Sequence, residues 1–238
     1  MDMHLDLTVL TPPERDEVQA YLRYHARRFA LLCETVAKVV HRPAARILDV
    51  GPNLQTALLR EALPQAHLDT MGFAHALVPP RDGELHIELD LNVAARDASK
   101  RGDERYEVVV LAEVIEHLHV PPELVLGYLA SWLQPGGTLL VQTPNAVALH
   151  KRLRMLVGIN PLEPIRHSPE NPAHFHEYTQ PELHDAAQRA GLQLAGAITA
   201  NYFGDPTLLG RAYALLGHVL PPSLRHGITA WYRREAAI

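Results

Sequence analysis

The run YEVVVLA at residues 106–112 constrains the fold more than any other segment. A continuous apolar stretch of this length suits a strand buried on both faces of a parallel sheet. Its neighbours repeat the pattern. Arg46–Val50 is a short β-branched and apolar run broken by Gly51, Pro52 and Asn53. Residues 67–71 and 85–89 read as weaker strands, and 138–143 (TLLVQT) as a further strong one. Helical patterns lie between them at 54–63, ended by Pro64, and at 122–133, followed by a turn at Pro135, Gly136 and Gly137. Strand and helix alternating at this spacing predict a doubly wound α/β sheet with helices on both faces.

A long helix is predicted ahead of the sheet, from residue 14 to 41. Val18, Tyr21, Leu22, Phe29, Leu32, Val36 and Val39 recur at three- and four-residue steps, and Pro43 stops it. After Pro144 the alternation lapses. Residues 145–172 hold a basic helical stretch and a proline-rich loop. Helix 181–190, stopped by Gly191, strand 192–200, an apolar helical segment at 206–219 and a final strand at 227–232 follow. No composition shift marks a boundary, so 1–238 reads as one domain with insertions at 145–172 and 203–224.

Composition narrows the function classes. Hydrophobic residues make up 47% and charged residues 21%, which suits a globular core, and the net charge of -5 argues against broad electrostatic capture of nucleic acid. Cys33 is the lone cysteine, so no intrachain disulfide forms, as in a reducing cytoplasm. The acidic N-terminus lacks the apolar core of a signal peptide, and no apolar run reaches the ~20 residues of a membrane span. A cytoplasmic location is expected.

Five pieces carry a family resemblance: ILDVGPN (47–53), LDLN (89–92), VVVLAEVIEHL (108–118), LQPGGTLLVQTPN (133–145), and HFHEYTQPEL (174–183) with AGL (190–192). Together they resemble the class I S-adenosylmethionine-dependent methyltransferases, especially the ubiquinone-type O-methyltransferase group. The resemblance implies a Rossmann-like, mostly parallel sheet with an antiparallel last strand. It also implies methyl transfer from S-adenosylmethionine, by our reading to oxygen, on a small or lipid-linked acceptor.

In such a sheet, ligands bind beyond the carboxyl ends of the strands at the switch point. The resemblance puts the donor against Asp49, Gly51, Pro52, Asn53, Gly72, Asp90, Leu91, Ala112 and Glu113. Gly51 lets the backbone approach the donor closely. Of the family's three alternating glycines only Gly51 remains; Asn53 and Gln55 hold the other two places. The acid expected at the tip of the second strand is displaced: Asp69 precedes the tip and Gly72 stands there. Asp90 matches the position that accepts from the adenine amino group, and equally suits a helix N-cap.

Glu113, Glu116 and His117 stand at i, i+3 and i+4, which on a helical turn puts three ligand-type side chains on one face. Small-RNA 2′-O-methyltransferases have a similar E-x-x-E-H run and a later histidine segment that bind a metal, and His174 falls at the matching place. The resemblance therefore implies a divalent metal held by Glu113, Glu116, His117 and His174. Without a metal, His117 or His174 serves as general base. His150, Lys151, Arg152 and Arg154 suit an anionic acceptor. The apolar side of 206–220 suits a core face first, and otherwise a pocket wall, the contact of a homodimer or a membrane surface. Two other readings compete. A nicotinamide oxidoreductase would need a G-x-G-x-x-G turn, where this chain has Gly51, Asn53 and Thr56. A catalytically degenerate scaffold fits the missing glycines but not the EVIEHL and PGG segments.

Overall fold

The computed structural model describes residues 12–74, 78–97, 99, 101–168, 172–202 and 219–235, and puts the 106–112 run at the centre of a seven-stranded sheet. The strands are β1 (Arg46–Val50), β2 (His67–Gly72), β3 (His86–Glu88), β4 (Tyr106–Ala112), β5 (Leu133–Pro144), β6 (Leu192–Ala200) and β7 (Gly227–Arg234). Their order is β3-β2-β1-β4-β5-β7-β6. β7 is antiparallel to both its neighbours, and the other pairs are parallel. β1 and β4 are adjacent while the chain runs outward from them in opposite directions, which creates the crevice where such sheets bind ligands.

β4 is buried along its whole length, and its period of two sorts it between two cores. Val108, Val110 and Ala112 face a core shared with Leu22, Phe29, Leu32 and Val36 of α1 (Pro12–Val39) and with Leu54, Leu58 and Leu59 of α2 (Leu54–Ala62). Val109 and Leu111 face the other core, with Val125, Leu126 and Leu129 of α4 (Pro122–Ala130) and Leu183, Ala186 and Ala187 of α6 (Gln180–Arg189). Each fully buried Val or Leu contributes roughly 1.5–3 kcal/mol. Two short α-helices are also described, α3 (Leu91–Ala94) and α5 (Leu149–Leu156).

One local expectation is corrected. Pro135, Gly136 and Gly137 do not form a separate turn; they lie inside β5 as an irregularity of pairing, where partners step from Tyr106↔Leu133 to Val108↔Thr138. Gly136 has φ +76, and a Cβ on Gly137 would come within 2.9 Å of the Gln134 carbonyl, so both glycines are needed to let the strand bend and continue.

Asp69, fully buried in β2, serves the fold. It accepts from the Leu85 backbone N–H (2.8 Å), the Tyr106 hydroxyl (2.9 Å) and Arg46 Nη2 (2.9 Å), locking β2 to its flanks. Within the expected insertion at 145–172 lies α5, whereas most of 203–224, with the proposed dimer face, falls outside the described residues. Among the described residues no helix is long and apolar enough to cross a membrane.

Candidate active site

A cleft of about 1120 Å³ opens beyond the carboxyl ends of β1 and β4. Gly51, Pro52 and Asn53 form part of its wall, with Asp90, Ala112, Glu113, Glu116, His117 and His174. Tyr21, Tyr24, His25 and Arg28 of α1 line it too, as do His150, Lys151 and Arg154 of α5. Three residues expected to touch the donor, Asp49, Gly72 and Leu91, lie outside this lining.

The turn after β1 keeps its shape without the missing glycines. Gly51 has φ +75, and its N–H donates to the Met71 carbonyl at 2.8 Å. Asn53 caps α2, accepting from Leu54 N–H at 2.6 Å, while its own N–H donates to Thr56 Oγ1 at 2.9 Å. Thr56 Oγ1 in turn donates to Asp49 at 2.6 Å, beneath the turn. Gln55 Nε2 donates to the Gly51 carbonyl at 3.3 Å. The two replacing side chains therefore brace the loop. Gly72 packs against this turn: a Cβ there would lie 3.2 Å from Pro52 Cδ.

Burial pushes the Asp49 carboxyl up to about 7, against the opposing pull of the Thr56 hydrogen bond. A carboxyl raised in the fold stabilises it below its unfolded value, and that benefit is lost as pH rises through the folded value. Stability is therefore expected to fall as pH rises from about 4 to about 7, with a slope approaching roughly 1.4 kcal/mol per pH unit from this group. Thermal denaturation of Asp49→Asn should show a shallower pH slope than wild type. An unchanged slope would mean that Asp49 does not titrate in this window.

Asp90 is the N-cap of α3, with Oδ1 accepting from Asn92 N–H at 2.8 Å, and it also borders the cleft. The capping role is thus observed, with the same carboxylate at the wall of the cleft.

The EVIEH segment departs from its expected geometry. Glu113 is not on a helical turn. β4 ends at Ala112, Glu113 takes a left-handed φ of +55, and a 3-10 turn covers Ile115–His117. Glu113 points to Arg28 of α1, 3.1 Å away in a nearly buried ion pair, and so stands outside the donor cluster expected to include it. The Arg28 signal was its place one heptad after Tyr21, whose hydroxyl accepts from it at 3.2 Å.

Glu116, His117 and His174 do meet. One ligand-type atom from each lies within 4.8 Å of the others. The segment carrying His174 is pinned to the turn: Phe175 N–H donates to the Glu116 carbonyl at 2.8 Å, and His117 Nδ1 donates to the Ala173 carbonyl at 3.0 Å. The two imidazoles sit edge to face, 4.8 Å between centroids. Glu116 is fully buried. Its Oε2 accepts from the Thr143 hydroxyl at 3.0 Å, while Oε1 has no hydrogen-bond partner among the described residues. Burial, reinforced by the charge of Glu113, holds its carboxyl well above the usual carboxylate range, and burial lowers His117. Such a group of donors is chemically able to take up a cation or a proton. Sequence reading missed one partner: Glu177 Oε1 accepts from His174 Nδ1 at 2.8 Å, and the i,i+3 spacing was its only signal.

Comparison with known proteins bears on this arrangement. Residues 24–195 match a family described as a methyltransferase domain. No curated protein sequence matches the chain. Among solved structures, the chain is similar to a complex of the Haloferax volcanii Trm112 methyltransferase activator with a methyltransferase, at 13% identity and TM-score 0.62, covering 93% of this chain and 94% of that one. It also resembles a SAM-dependent methyltransferase from Archaeoglobus fulgidus (11% identity, TM-score 0.55, 87% and 92% covered). A third is the Burkholderia thailandensis 1,6-didemethyltoxoflavin-N1-methyltransferase with bound 1,6-didemethyltoxoflavin and S-adenosylhomocysteine (15%, 0.53, 97% and 93%).

Proposed function

The chain belongs to this methyltransferase-domain family, and on that premise we propose that it transfers the methyl group of S-adenosylmethionine to an oxygen of a small or lipid-linked acceptor. The observation that carries the reading is that one cleft is walled both by the Gly51 turn with Asp90 and by Glu116, His117 and His174. The first set suits the donor. Gly51 admits close backbone approach, and the Asp90 carboxylate has a second oxygen for the adenine amino group. The second set suits the acceptor. As the acceptor oxygen attacks, the S–CH₃ bond breaks, an O–CH₃ bond forms, and S-adenosylhomocysteine leaves. The hydroxyl proton passes to an imidazole Nε2.

A divalent cation also fits the trio. Both imidazoles have Nδ1 engaged as donor, which leaves Nε2 as the available lone pair in the neutral ring. Glu116 Oε1 is buried with no partner among the described residues, and one ligand-type atom from each of the three lies within 4.8 Å of the others, inside the span of two metal–ligand bonds of about 2.0–2.6 Å. Glu116, His117 and His174 would hold the ion, with Glu113 left to Arg28. A bound cation would lower the pKa of the acceptor hydroxyl.

Calorimetric titration with S-adenosylhomocysteine tests the donor half. Methyl-labelled donor with acceptor pools, followed by NMR of the product methyl, tests the oxygen. A folded protein that binds no donor would overturn the reading and favour the scaffold alternative.

Asp90→Ala is expected to weaken the donor about ten- to a hundredfold, the loss of one charge-assisted hydrogen bond. It also removes a cap. Asp90→Asn separates the roles, because asparagine caps as well as aspartate but lacks the charge. Its melting temperature should stay near wild type while affinity falls. If affinity is kept in the asparagine variant, Asp90 is a cap alone.

A further inference from the structure

We propose that Glu177 and Lys151 are positioning residues that fix His174 with its proton on Nδ1 and its Nε2 lone pair turned to the acceptor. This rests on the reading that His174 serves the methyl-transfer centre. His174 Nδ1 lies 2.8 Å from Glu177 Oε1. A carboxylate only accepts, so the nitrogen must donate. The other oxygen, Oε2, is ion-paired with Lys151. The Glu177 and Lys151 side chains are 6% and 8% exposed, so this pair is shielded from water, whereas His174 is 31% exposed at the cleft.

The electrostatics are consistent. Glu177 lies between the His174 imidazole, which donates to Oε1, and the Lys151 ammonium, which pairs with Oε2. Glu177 thus stays an acceptor, and Lys151 is what lets it do so in a dry place. The backbone supports the same aim. Ala173 holds a left-handed φ of +73, unusual for a residue with a Cβ, and its carbonyl fixes His117 through Nδ1 as well. Both histidines therefore present the same nitrogen. Lys151 belongs to α5, whose residues His150 and Arg154 also line the cleft. The helix that borders the acceptor space is thereby tied to the histidine that would act on it.

Replacing a buried ion pair by apolar side chains of similar volume is often neutral or stabilising. The double variant Lys151→Met/Glu177→Met should therefore fold, and it removes the carboxylate that orients His174. Long-range ¹H–¹⁵N correlation of labelled histidines reads the tautomer directly. His174 is expected as Nδ1–H in wild type and as a mixture in the double variant, with His117 unchanged. With an acceptor in hand, kcat should drop about ten- to a hundredfold, as for other residues that orient a functional histidine, with KM nearly constant. An Nε2–H His174 in wild type, or an unaltered tautomer in the folded double variant, overturns the proposal. If His174→Ala loses turnover and the double variant does not, the positioning role fails alone. If neither loses turnover, the site reading fails with it.

Discussion

His174→Ala is expected to cut methyl transfer by a factor of about 10²–10⁴, the usual contribution of a positioned general base, while donor affinity stays unchanged. The argument is one of place. His174 reaches the cleft from the loop ahead of α6, and its Nδ1 is committed to Glu177, so Nε2 is the nitrogen left to act on a substrate. Nothing in the Gly51 turn contacts it through a described hydrogen bond, so the donor half should be spared. The fold should lose little, because Glu177 keeps its Lys151 partner and the segment stays pinned by Phe175 N–H to the Glu116 carbonyl. His117→Ala is the less clean probe, since its Nδ1 also holds the Ala173 carbonyl. A chelator divides the two chemistries. If wild-type turnover falls with chelation and returns with added divalent cation, His174 acts as a ligand. If it persists, His174 acts as a base. Turnover of His174→Ala within about threefold of wild type would remove His174 from the reaction.

The sheet was legible because its determinants are local. YEVVVLA has no face to show water, and the strand–helix alternation on each side of it leaves few topologies. The antiparallel last strand came from family resemblance, and the order of strands agrees with it. The Pro135–Gly136–Gly137 segment was misread as a plain turn because a bend inside a paired strand uses the same residues as a reversal between strands.

The site was legible only in part. Glu116 and His117 were marked by their spacing and His174 by the family resemblance, and the structure brings the three together. Glu113 was grouped with them on the assumption of a helical turn. A left-handed residue at the strand end instead swings it to Arg28, a partner 85 positions away that no local pattern announces. Glu177 was passed over because its meaning depends on a buried lysine from another element. The missing glycines looked like damage in the sequence. In three dimensions Asn53 and Gln55 spend their side chains on the loop itself, a compensation that spacing alone does not reveal.

Gly51→Val is the second large effect, and its cause differs from the simple view that the new side chain fills the donor's space. Gly51 holds φ +75, where a β-branched residue is strained, and a Cβ there would lie 2.6 Å from Val114 Cγ2. The first collision is therefore with the protein. Val114 sits between Glu113 and the 3-10 turn of Ile115–His117, so displacing it disturbs both halves of the cleft at once. Strain and overpacking together are expected to cost about 3 kcal/mol of stability. Donor affinity should fall more than a hundredfold. Because a destabilised protein also binds poorly, the deciding comparison is Gly51→Ala against Gly51→Ala/Val114→Ala. The second change removes the obstructing methyl and leaves the strained backbone. If the double variant regains stability but still fails to bind S-adenosylhomocysteine, the space beside Gly51 belongs to the donor. If binding returns with stability, the glycine serves only the packing of the turn, and the donor contact must be sought elsewhere along the cleft.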